Sequence, residues 1–433
     1  MLHFFEMGLR PEVIAAIEAL GFETPTEIQC QAIPYLLQQR RDLIALAQTG
    51  TGKTAAFGLP IVNEIRRGGG EIEALIISPT RELALQITED LKHFSRFLDL
   101  KIQPVYGGAD INRQIKGVRK AHIAVGTPGR IGDLIKRKKL HIDSLKYLVL
   151  DEADEMLTMG FKVDLDFICS HTPREKQTLL FSATMSKAIF SMTKGYMRKP
   201  HQIEIGNRNQ GAKTVSHHYY LTAARQRYNA LKQIVDSKPS IYSIVFCRTR
   251  LDAKETADKL IRDGYRAAAL HGDMSQAQRN LVMGHFRGGH LRLLVATDVA
   301  ARGVDVSKLT HVINYNLPDD GEAYVHRSGR TGRAGKKGIS ILLITPKELR
   351  KLRSIQKTVG KTFIQQKLPD GKKILQAQAI GWTKRLSDIA MSADHGERIR
   401  AVMPQVEERL ECLTKAELIE RMLFVQLHNF LKQ

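Results

Sequence analysis

Short apolar runs alternate with segments of helical spacing over most of the chain. The first series extends from Leu43 to about Ile205, and helical patterns fill the intervals between its runs. The runs predict strands at Leu43–Ala47, Ala74–Ser78, Ile102–Val105, His122–Gly126, Tyr147–Leu150 and Thr178–Phe181. Because strands that alternate with helices form parallel sheets covered on both faces, the pattern predicts an α/β domain.

The alternation stops at residues 199–215, where Pro200, Gly206 and Gly211 indicate a linker, and then it restarts. The second series predicts strands at Ser216–Leu221, Tyr242–Phe246, Ala267–Leu270, Leu293–Ala296, His311–Ile313 and Ile339–Ile344. We therefore expect a second parallel-sheet domain behind the first.

From Gln365 onward the apolar residues have helical spacing only, which predicts helices at residues 372–389, 397–413 and 416–431. The domains are therefore expected at residues 1–205, 206–364 and 365–433. The apolar stripe of the last helix is wide for the little chain that remains to cover it. It packs within a helical bundle or on the second domain, or it forms a homodimer.

Composition limits the class of protein. The 433 residues are 43% hydrophobic, as expected of a globular protein, and we find no apolar run of membrane-spanning length. Residues 1–10 do not resemble a secretion signal. The four cysteines lie far apart, which argues against a disulfide framework or a zinc site and fits a reducing cytoplasm.

The net charge of +21 is concentrated in the second domain. Residues 206–364 contain 28 Lys and Arg against 12 Asp and Glu. So basic a domain suggests a polyanion as partner, although a merely soluble basic surface is the alternative.

Candidate chemistry begins at the segment Ala-Gln-Thr-Gly-Thr-Gly-Lys-Thr, residues 47–54, which joins a predicted strand to a predicted helix. In that context Gln48, Thr49, Gly50, Thr51 and Gly52 form a loop whose backbone N–H groups can cradle a polyphosphate. Lys53 is then expected to reach the outer phosphates and the Thr54 hydroxyl to hold Mg²⁺. The sequence thus predicts a nucleoside triphosphate site.

Carboxylates follow the fifth predicted strand, where parallel strands open onto a ligand crevice. We expect Asp151 to hold Mg²⁺ through water and Glu152 to orient and deprotonate the attacking water. Ser182 and Thr184, after the next strand, are expected to connect the Asp154 region to a closed state.

The second domain carries the basic segment His-Arg-Ser-Gly-Arg-Thr-Gly-Arg, residues 326–333. An arginine best neutralises charge that develops on a γ-phosphate, so Arg330 and Arg333 are candidates, and His326 is expected to couple the domains. In residues 296–305, polar groups after a strand suit a nucleotide sugar or a nucleic-acid backbone. The candidates there for RNA are Thr297, Asp298 and Arg302.

Three turns after the second, third and fourth strands of domain one face the same rim of the sheet. They contain Pro79, Thr80 and Arg81, then Gly107 and Gly108, then Thr127, Pro128, Gly129 and Arg130. Helix starts, threonines and arginines bind phosphates without reading bases, so together they predict a track for a single strand.

Taken together, the ordered segments AQTGTGKT, PTRELA, GG, TPGR, DEAD, SAT, ATDVAARGVD and HRSGRTGR resemble those of a DEAD-box RNA helicase over residues 4–360. The resemblance implies two tandem RecA-like domains and ATP hydrolysis coupled to local opening of RNA duplexes. It implies that Gln29 reads adenine with Phe4, or its neighbour Phe5, stacked nearby, and that Asp305 contacts ribose. It assigns further RNA contacts to Arg248, Thr249, Gln276 and Arg279.

The helical tail resembles, less closely, the dimerising extension of bacterial cold-shock-type members of that family. Those members commonly continue into a basic RNA-binding domain, which is not found in this sequence. We therefore expect an ATP-dependent RNA helicase with weak sequence preference. The alternatives are an ATP-locked RNA clamp and a DNA motor of the same superfamily.

Overall fold

The computed structural model describes residues 3–48, 50–65, 71–205, 214–301, 308–332, 336–390 and 393–431. Its helices are α1 (Pro11–Ala19), α2 (Glu27–Gln38), α3 (Lys53–Glu64), α4 (Arg81–Phe94), α5 (Ile111–Val118), α6 (Pro128–Lys136), α7 (Ala153–Thr158), α8 (Lys162–Ser170), α9 (Lys187–Tyr196), α10 (Arg227–Asp236), α11 (Arg250–Arg262), α12 (Gln276–Arg287), α13 (Asp298–Ala301), α14 (Gly321–Ser328), α15 (Leu349–Val359), α16 (Gly371–Ser387), α17 (Ala393–Leu410) and α18 (Lys415–Leu431).

The strands are β1 (Leu43–Leu46), β2 (Ala74–Ile77), β3 (Ile102–Val105), β4 (Ile123–Gly126), β5 (Tyr147–Leu150), β6 (Gln177–Ser182), β7 (His201–Glu204), β8 (Val215–Leu221), β9 (Ser243–Cys247), β10 (Ala267–Leu270), β11 (Leu293–Thr297), β12 (His311–Asn314), β13 (Gly338–Ile344) and β14 (Ile364–Gln366). All twelve predicted strands are present, with ends displaced by at most a residue or so.

The strands form two seven-stranded sheets, one in each predicted α/β domain. The first has the order β3-β4-β2-β5-β6-β1-β7 and the second the order β10-β11-β9-β12-β13-β8-β14, and all pairs are parallel. When the second sheet is renumbered from its own first strand, the two orders are identical. The predicted pair of parallel-sheet domains is confirmed.

Each sheet is buried on both faces, as its nearly continuous apolar strands require. In the first domain, one core lies between the sheet and helices α1–α4, where the rings of Phe57 and Phe181 meet edge to face at 5.1 Å. A second core on the other face includes Leu150, Ile131 and Met156. The carboxyl ends of the strands therefore meet at one edge, where ligands of such sheets bind.

Two strands were not predicted. Strand β7 lies inside the predicted linker, residues 199–215, and pairs with β1. Only Ile203 of its four residues is buried, so its sequence carries neither an apolar run nor a clean alternation. Strand β14 pairs with β8 and extends the second sheet to Gln366, across the expected boundary at residue 364. Both are edge strands, whose polar composition hides them from the sequence pattern.

The three predicted tail helices are present as α16, α17 and α18. Helix α16 packs on the second domain: Gln378 Nε2 donates to the Asp236 carbonyl at 2.5 Å. A Cβ on Gly381 would come within 2.6 Å of Pro239, so the helix backbone lies directly against the loop after α10. Among the described residues, the longest apolar stretches of helix fall short of a membrane span.

Candidate functional site between the two domains

The loop at residues 47–54 has the geometry expected of a phosphate cradle. Gly50 and Gly52 adopt φ angles of 86° and 89°, which other residues rarely adopt, and α3 begins directly after Gly52. Lys53 is 7% exposed, and its ammonium group donates to the Ala47 carbonyl at 3.1 Å. The Thr51 hydroxyl donates to the Gln48 carbonyl at 2.8 Å, and Thr49 lies outside the described residues.

Gln29 connects helix α2 to this loop. Its Oε1 accepts from the Thr26 N–H at 2.9 Å, which completes a capping box at the start of α2. Its Nε2 donates to the Gly52 carbonyl at 3.1 Å. A Cβ on Gly52 would lie 2.4 Å from that nitrogen, so the glycine permits this close approach. Gln29 thereby positions the loop, a role that its helical context alone did not reveal.

Two aromatic residues, Phe22 and Phe94, line the site, and sequence analysis assigned neither of them. Phe22 lines the cavity beside Lys53 and packs edge-on against Phe94 at 6.3 Å. Phe4 is 5% exposed and lies behind Phe22, with ring centres 6.5 Å apart. Phe5 is 70% exposed and stacks on His3. The structure thus gives Phe4 a supporting position; the signal for Phe22 was its place beside the Gly21 turn.

A cavity of about 280 Å³ lies between the domains and brings together the predicted nucleotide residues. The first domain lines it with Gln29, Gly50, Gly52, Lys53, Thr54, Asp151 and Glu152, among others. The second domain contributes Arg330, from the turn after α14, which is 7% exposed. The domains are therefore closed on each other, with an arginine of one facing the lysine and carboxylates of the other.

The two carboxylates at the end of β5 lie in the wall of this cavity. Asp151 is 3% exposed; burial raises the pKa of Asp151 to about 6, although the nearby Lys53 ammonium opposes this rise. Glu152 has a left-handed backbone, with φ of 50°, which turns its side chain away from the path of the strand. Its Oε2 is buried and has no hydrogen-bond partner among the described residues. Such an oxygen can accept a proton from a water in the cavity.

Asp154 joins the two domains. Its Oδ2 accepts from the N–H groups of Ala183 and Thr184 at 3.1 Å and from the Thr184 hydroxyl at 3.3 Å. The Ser182 hydroxyl in turn donates to the Thr184 carbonyl at 2.8 Å. His326 of α14 approaches the same oxygen at 3.7 Å.

The stronger contact of His326 is with Glu155, a residue that sequence analysis missed. The distance from Nδ1 to Glu155 Oε1 is 2.5 Å. Burial alone would lower the pKa of His326, but the hydrogen bond to Glu155 and the charges of Asp154, Glu155 and Glu152 raise it overall. His326 of one domain therefore lies beside carboxylates of the other, which favour its protonated form, because α7 and α14 face each other across the cleft.

A second cavity, a groove of about 710 Å³, crosses the domain boundary on the same edge of the sheets. It contains nearly all of the predicted track and two predicted contacts of the second domain: Pro79, Thr80, Arg81, Gly107, Gly108, Thr127, Gly129, Arg130, Gln276 and Arg279. Pro128 is buried as the first residue of α6. Met159, Phe161, Met274 and Val299, which sequence analysis did not consider, also line the groove.

Two arginines cross the groove. The Arg81 guanidinium donates to Gln276 Oε1 at 2.6 Å and lies so close to the Gly108 backbone that a Cβ there would be 2.4 Å from it. Arg279 pairs with Glu82 of the first domain and donates to the Ala300 carbonyl at 2.6 Å. In this closed arrangement, residues expected to contact RNA also hold the two domains together.

Four other candidates do not lie in the groove. Thr249 caps α11, accepting from the Asp252 N–H at 3.0 Å, and Arg248 is half exposed beside it. Thr297 accepts from the Ala300 N–H at 3.4 Å, and Asp298 binds the Arg327 guanidinium through both oxygens at 2.5 and 2.7 Å. That pair is internal to the second domain, and an RNA contact of Asp298 stays a prediction. Three remaining candidates, Arg302, Asp305 and Arg333, lie outside the described residues.

Comparisons with known proteins agree with this geometry. Residues 26–192 match the family DEAD/DEAH box helicase, and residues 226–335 match the helicase conserved C-terminal domain. Residues 374–433 match the family "Probable ATP-dependent RNA helicase, helical domain". The chain therefore belongs to the DEAD-box family of ATP-dependent RNA helicases, which makes it an ATP-hydrolysing enzyme.

Within the family the chain is similar to bacterial helicases named CshA. It is 44% identical to that of Geobacillus kaustophilus over 379 residues, which cover 87% of this chain and 81% of the relative. It is 42% identical to that of Bacillus subtilis over 384 residues, covering 88% and 78%. Among solved structures, S. cerevisiae Dbp5 bound to RNA and ADP BeF3 superimposes with a TM-score of 0.80 at 31% identity, covering 87% of this chain and 99% of Dbp5.

Proposed function

We propose that this protein binds ATP in the cavity between its domains and hydrolyses it when RNA fills the neighbouring groove, so that short RNA duplexes are opened locally. The observation that carries the proposal is the meeting of Lys53, Glu152 and Arg330, from two domains, around one cavity. Neither domain alone contains the set of groups that phosphoryl transfer requires.

In the proposed site, the loop at residues 47–54 and Lys53 hold the phosphates. Glu152 accepts the proton of the attacking water through its buried oxygen, and Arg330 neutralises the charge that develops on the transferred phosphoryl group. Arg333 and Asp305 keep the roles that the family resemblance implies. Phe22 and Gln29 line the cavity, which supports a role for both in contacting the base, with Phe4 packed behind Phe22.

The residues present suit Mg²⁺. Thr54 and Asp151 line the same cavity and supply the oxygen donors that this ion prefers. The raised pKa of buried Asp151 means that its negative charge is only partly offset by Lys53, so a cation there is favourable. Among the described residues, no group of three or more His, Cys, Asp or Glu side chains is arranged to hold a metal ion by itself. Mg²⁺ commonly keeps waters and substrate phosphates as most of its ligands. Bound Mg²⁺ supplies charge stabilisation of phosphate oxygens.

The groove supports RNA as the partner. Its helix starts, glycines and the cations Arg81, Arg130 and Arg279 offer contacts to phosphates, so binding should depend little on base sequence. Because Arg81 and Arg279 also bind the opposite domain, a strand in the groove would favour the closed arrangement in which Arg330 faces Lys53. Binding of RNA would thereby accelerate hydrolysis.

The proposal is tested with Glu152→Gln, which keeps size and polarity but cannot accept a proton. We expect ATP to bind with nearly unchanged affinity while RNA-stimulated turnover and strand displacement are lost. As a matched control, Glu89→Gln changes an exposed glutamate that pairs with Lys92 on the same helix, and it should leave turnover unaltered. Normal turnover by Glu152→Gln would remove this residue from the mechanism. If DNA stimulates the ATPase as strongly as RNA does, the proposed preference for RNA over DNA is wrong.

We also propose a homodimer formed through α17. Ile399, Val402, Met403 and Val406 recur at helical spacing on this helix and are 48%, 51%, 37% and 42% exposed. Such a stripe is favourable only when covered, and a second copy of the helix would cover it. Light scattering should give the mass of two chains, and one chain for a version with Val402→Asp. A mass of one chain for the unaltered protein would contradict the dimer.

The cytoplasm is the proposed place of action. All four cysteines are free thiols, Cys30, Cys169, Cys247 and Cys412, and Cys412 is exposed. Unpaired thiols suit a reducing compartment.

A further inference from the structure

Helix α15 carries an uncompensated basic face. Residues 347–361 contain six Lys and Arg but one acidic residue, Glu348. That glutamate is already engaged by Arg227 at 2.9 Å. The buried residues Leu352, Ile355 and Val359 fix one side of the helix against the second domain. The opposite side is therefore fixed toward solvent.

Three cations form this face, which we term the α15 face: Arg350, Arg353 and Lys357. They recur every three to four residues, so their heads share one side of the helix, and all three are exposed. From the rise per residue of an α-helix, they extend over about 10 Å of its axis. A row of like charges with that length matches a strand of phosphates better than it matches a small anion.

Ion pairs lie along the surface between the groove and the flank of α15. Gly272 and Met274 line the groove, and Asp273 between them pairs with Arg250 at the start of α11. Arg248, two residues before Arg250, lies 3.9 Å from Asp319, and Lys351 of α15 lies 3.2 Å from the same carboxylate. The path therefore runs from the groove, past the loop after β9, to the flank of α15.

We propose that the α15 face is a second RNA-binding surface, which holds the phosphates of the strand where it leaves the groove past Arg248. This inference rests on the proposed function, because it takes RNA as the occupant of the groove. The surface binds charge and not bases, so it lengthens the RNA that the protein can hold without adding sequence preference. A strand that ends within the groove does not reach it.

The test compares two variants that each lose three positive charges. One carries Arg350→Gln, Arg353→Gln and Lys357→Gln; the control carries Lys120→Gln, Lys138→Gln and Lys139→Gln, exposed residues that precede strands β4 and β5. Those strands place the control charges at the opposite edge of the first sheet from the groove. RNA affinity is measured by fluorescence anisotropy with a non-hydrolysable nucleotide, for the shortest strand that fully stimulates the ATPase and for a strand twice as long.

For the long strand, affinity falls as salt rises, and the slope of log affinity against log salt is negative. Loss of three phosphate contacts should make this slope less steep by about 2 in the α15 variant. Relative to the unaltered protein, its affinity deficit should then shrink about 20-fold between 50 and 200 mM salt. For the short strand, affinity and ATPase stimulation should be unchanged. The control variant should keep the original slope with both strands.

Several results would overturn the proposal: equal slopes for the two variants, an equal loss for both strand lengths, or no gain in affinity of the unaltered protein with length. If the slope of the α15 variant is unchanged, the α15 face does not bind RNA, and an acidic protein becomes the partner that fits its charge. A variant with Arg350→Lys and Arg353→Lys should retain the slope, since the charges remain. Absence of stimulation by any RNA in the unaltered protein would refute the proposed function, which is a separate readout.

Discussion

The two α/β domains have the same strand order but divide the chemistry between them. Helix α7 follows the fourth position of the first sheet, strand β5, and α14 follows the equivalent strand β12 of the second. These equivalent helices meet across the cleft, where His326 of one approaches Asp154 and Glu155 of the other. One copy of the fold supplies carboxylates at this junction, and the other supplies cations.

The difference begins at the first strand of each sheet. After β1 the chain makes the glycine loop that leads into α3 with Lys53. After β8 it passes through Thr222 and a short 3-10 helix, Ala224–Gln226, into α10. That junction has no glycine and cannot wrap backbone N–H groups around phosphates. The two domains therefore share one fold but have different roles. The first domain holds the nucleotide, and the second supplies the arginine that completes the site, so catalysis requires both.

The largest effect on this division of chemistry between the domains is expected when the cation that the second domain contributes is removed. Arg330→Ala should lower kcat by about 10³-fold or more, because the charge on the transferred phosphoryl group loses its partner, while ATP affinity changes little. Lys53→Ala, in the first domain, should lose ATP binding itself. Single-turnover ATPase measurements and a nucleotide-binding titration distinguish the two. An Arg330→Ala enzyme with unaltered kcat would show that the first domain suffices.

A second, smaller effect is expected at the helix junction. His326→Gln removes a charged hydrogen bond of about 1.5–3 kcal/mol from the closed form, so RNA-stimulated turnover should fall about 10- to 150-fold. Because the folded pKa of His326 is raised, its charged form stabilises closure at low pH, and that contribution is lost as pH rises through the raised pKa. The pH profile of RNA-stimulated turnover should therefore lose its alkaline decline in the variant. An identical decline in both proteins would assign it to another group.

A pair of matched substitutions tests whether the glycine loop of the first domain is needed for nucleotide binding. Gly52→Ala places a Cβ 2.4 Å from Gln29 in a left-handed backbone, so nucleotide affinity should fall. Gly264→Ala in the second domain has a similar φ of 84° but meets no atom within 4 Å. Both should cost about 1–2 kcal/mol of backbone strain, but only Gly52→Ala should weaken ATP binding, about 5- to 30-fold. Thermal melting and ATP titration of both variants separate stability from binding.

The smallest effect concerns Asp151. Its pKa is raised to about 6, so the carboxyl group takes up a proton as pH falls through that value, and its affinity for a cation falls. Between pH 7 and 5, Mg²⁺-dependent ATP binding should weaken about tenfold. The same shift has the opposite sign for stability: the protonated group favours the folded chain below its ordinary pKa, and this contribution is lost as pH rises through 6. Asp151→Asn should flatten the binding profile.

The sequence was sufficient where local chemistry and periodicity agree. The core strands were predicted because apolar runs bury both faces, and the loop before Lys53 because its glycines adopt φ angles that other residues avoid. The capping box at the start of α18 is another such local feature: the Thr414 N–H donates to Glu417 Oε2 at 2.8 Å. Such features depend on neighbours in the chain.

Features that depend on distant packing were not predicted. Phe4 and Phe22 are both aromatic and both precede the phosphate loop in the sequence, and only the packing against Phe94 decides that Phe22 faces the cavity. Glu155 follows three other acidic residues, Asp151, Glu152 and Asp154, and only the approach of α14 makes it the partner of His326. The ion pair of Asp298 with Arg327 was likewise not predicted, because Arg327 comes from another helix.

The attachment of α16 to the second domain has a mechanical consequence. Gln378 and Gly381 hold that helix against the loop after α10, so α16 moves together with the sheet that carries Arg330. If two chains join through α17, the partnered sheets form a stationary frame, and each glycine-loop domain swings on its own. Two ATP cycles could then run out of step on a single pair of molecules.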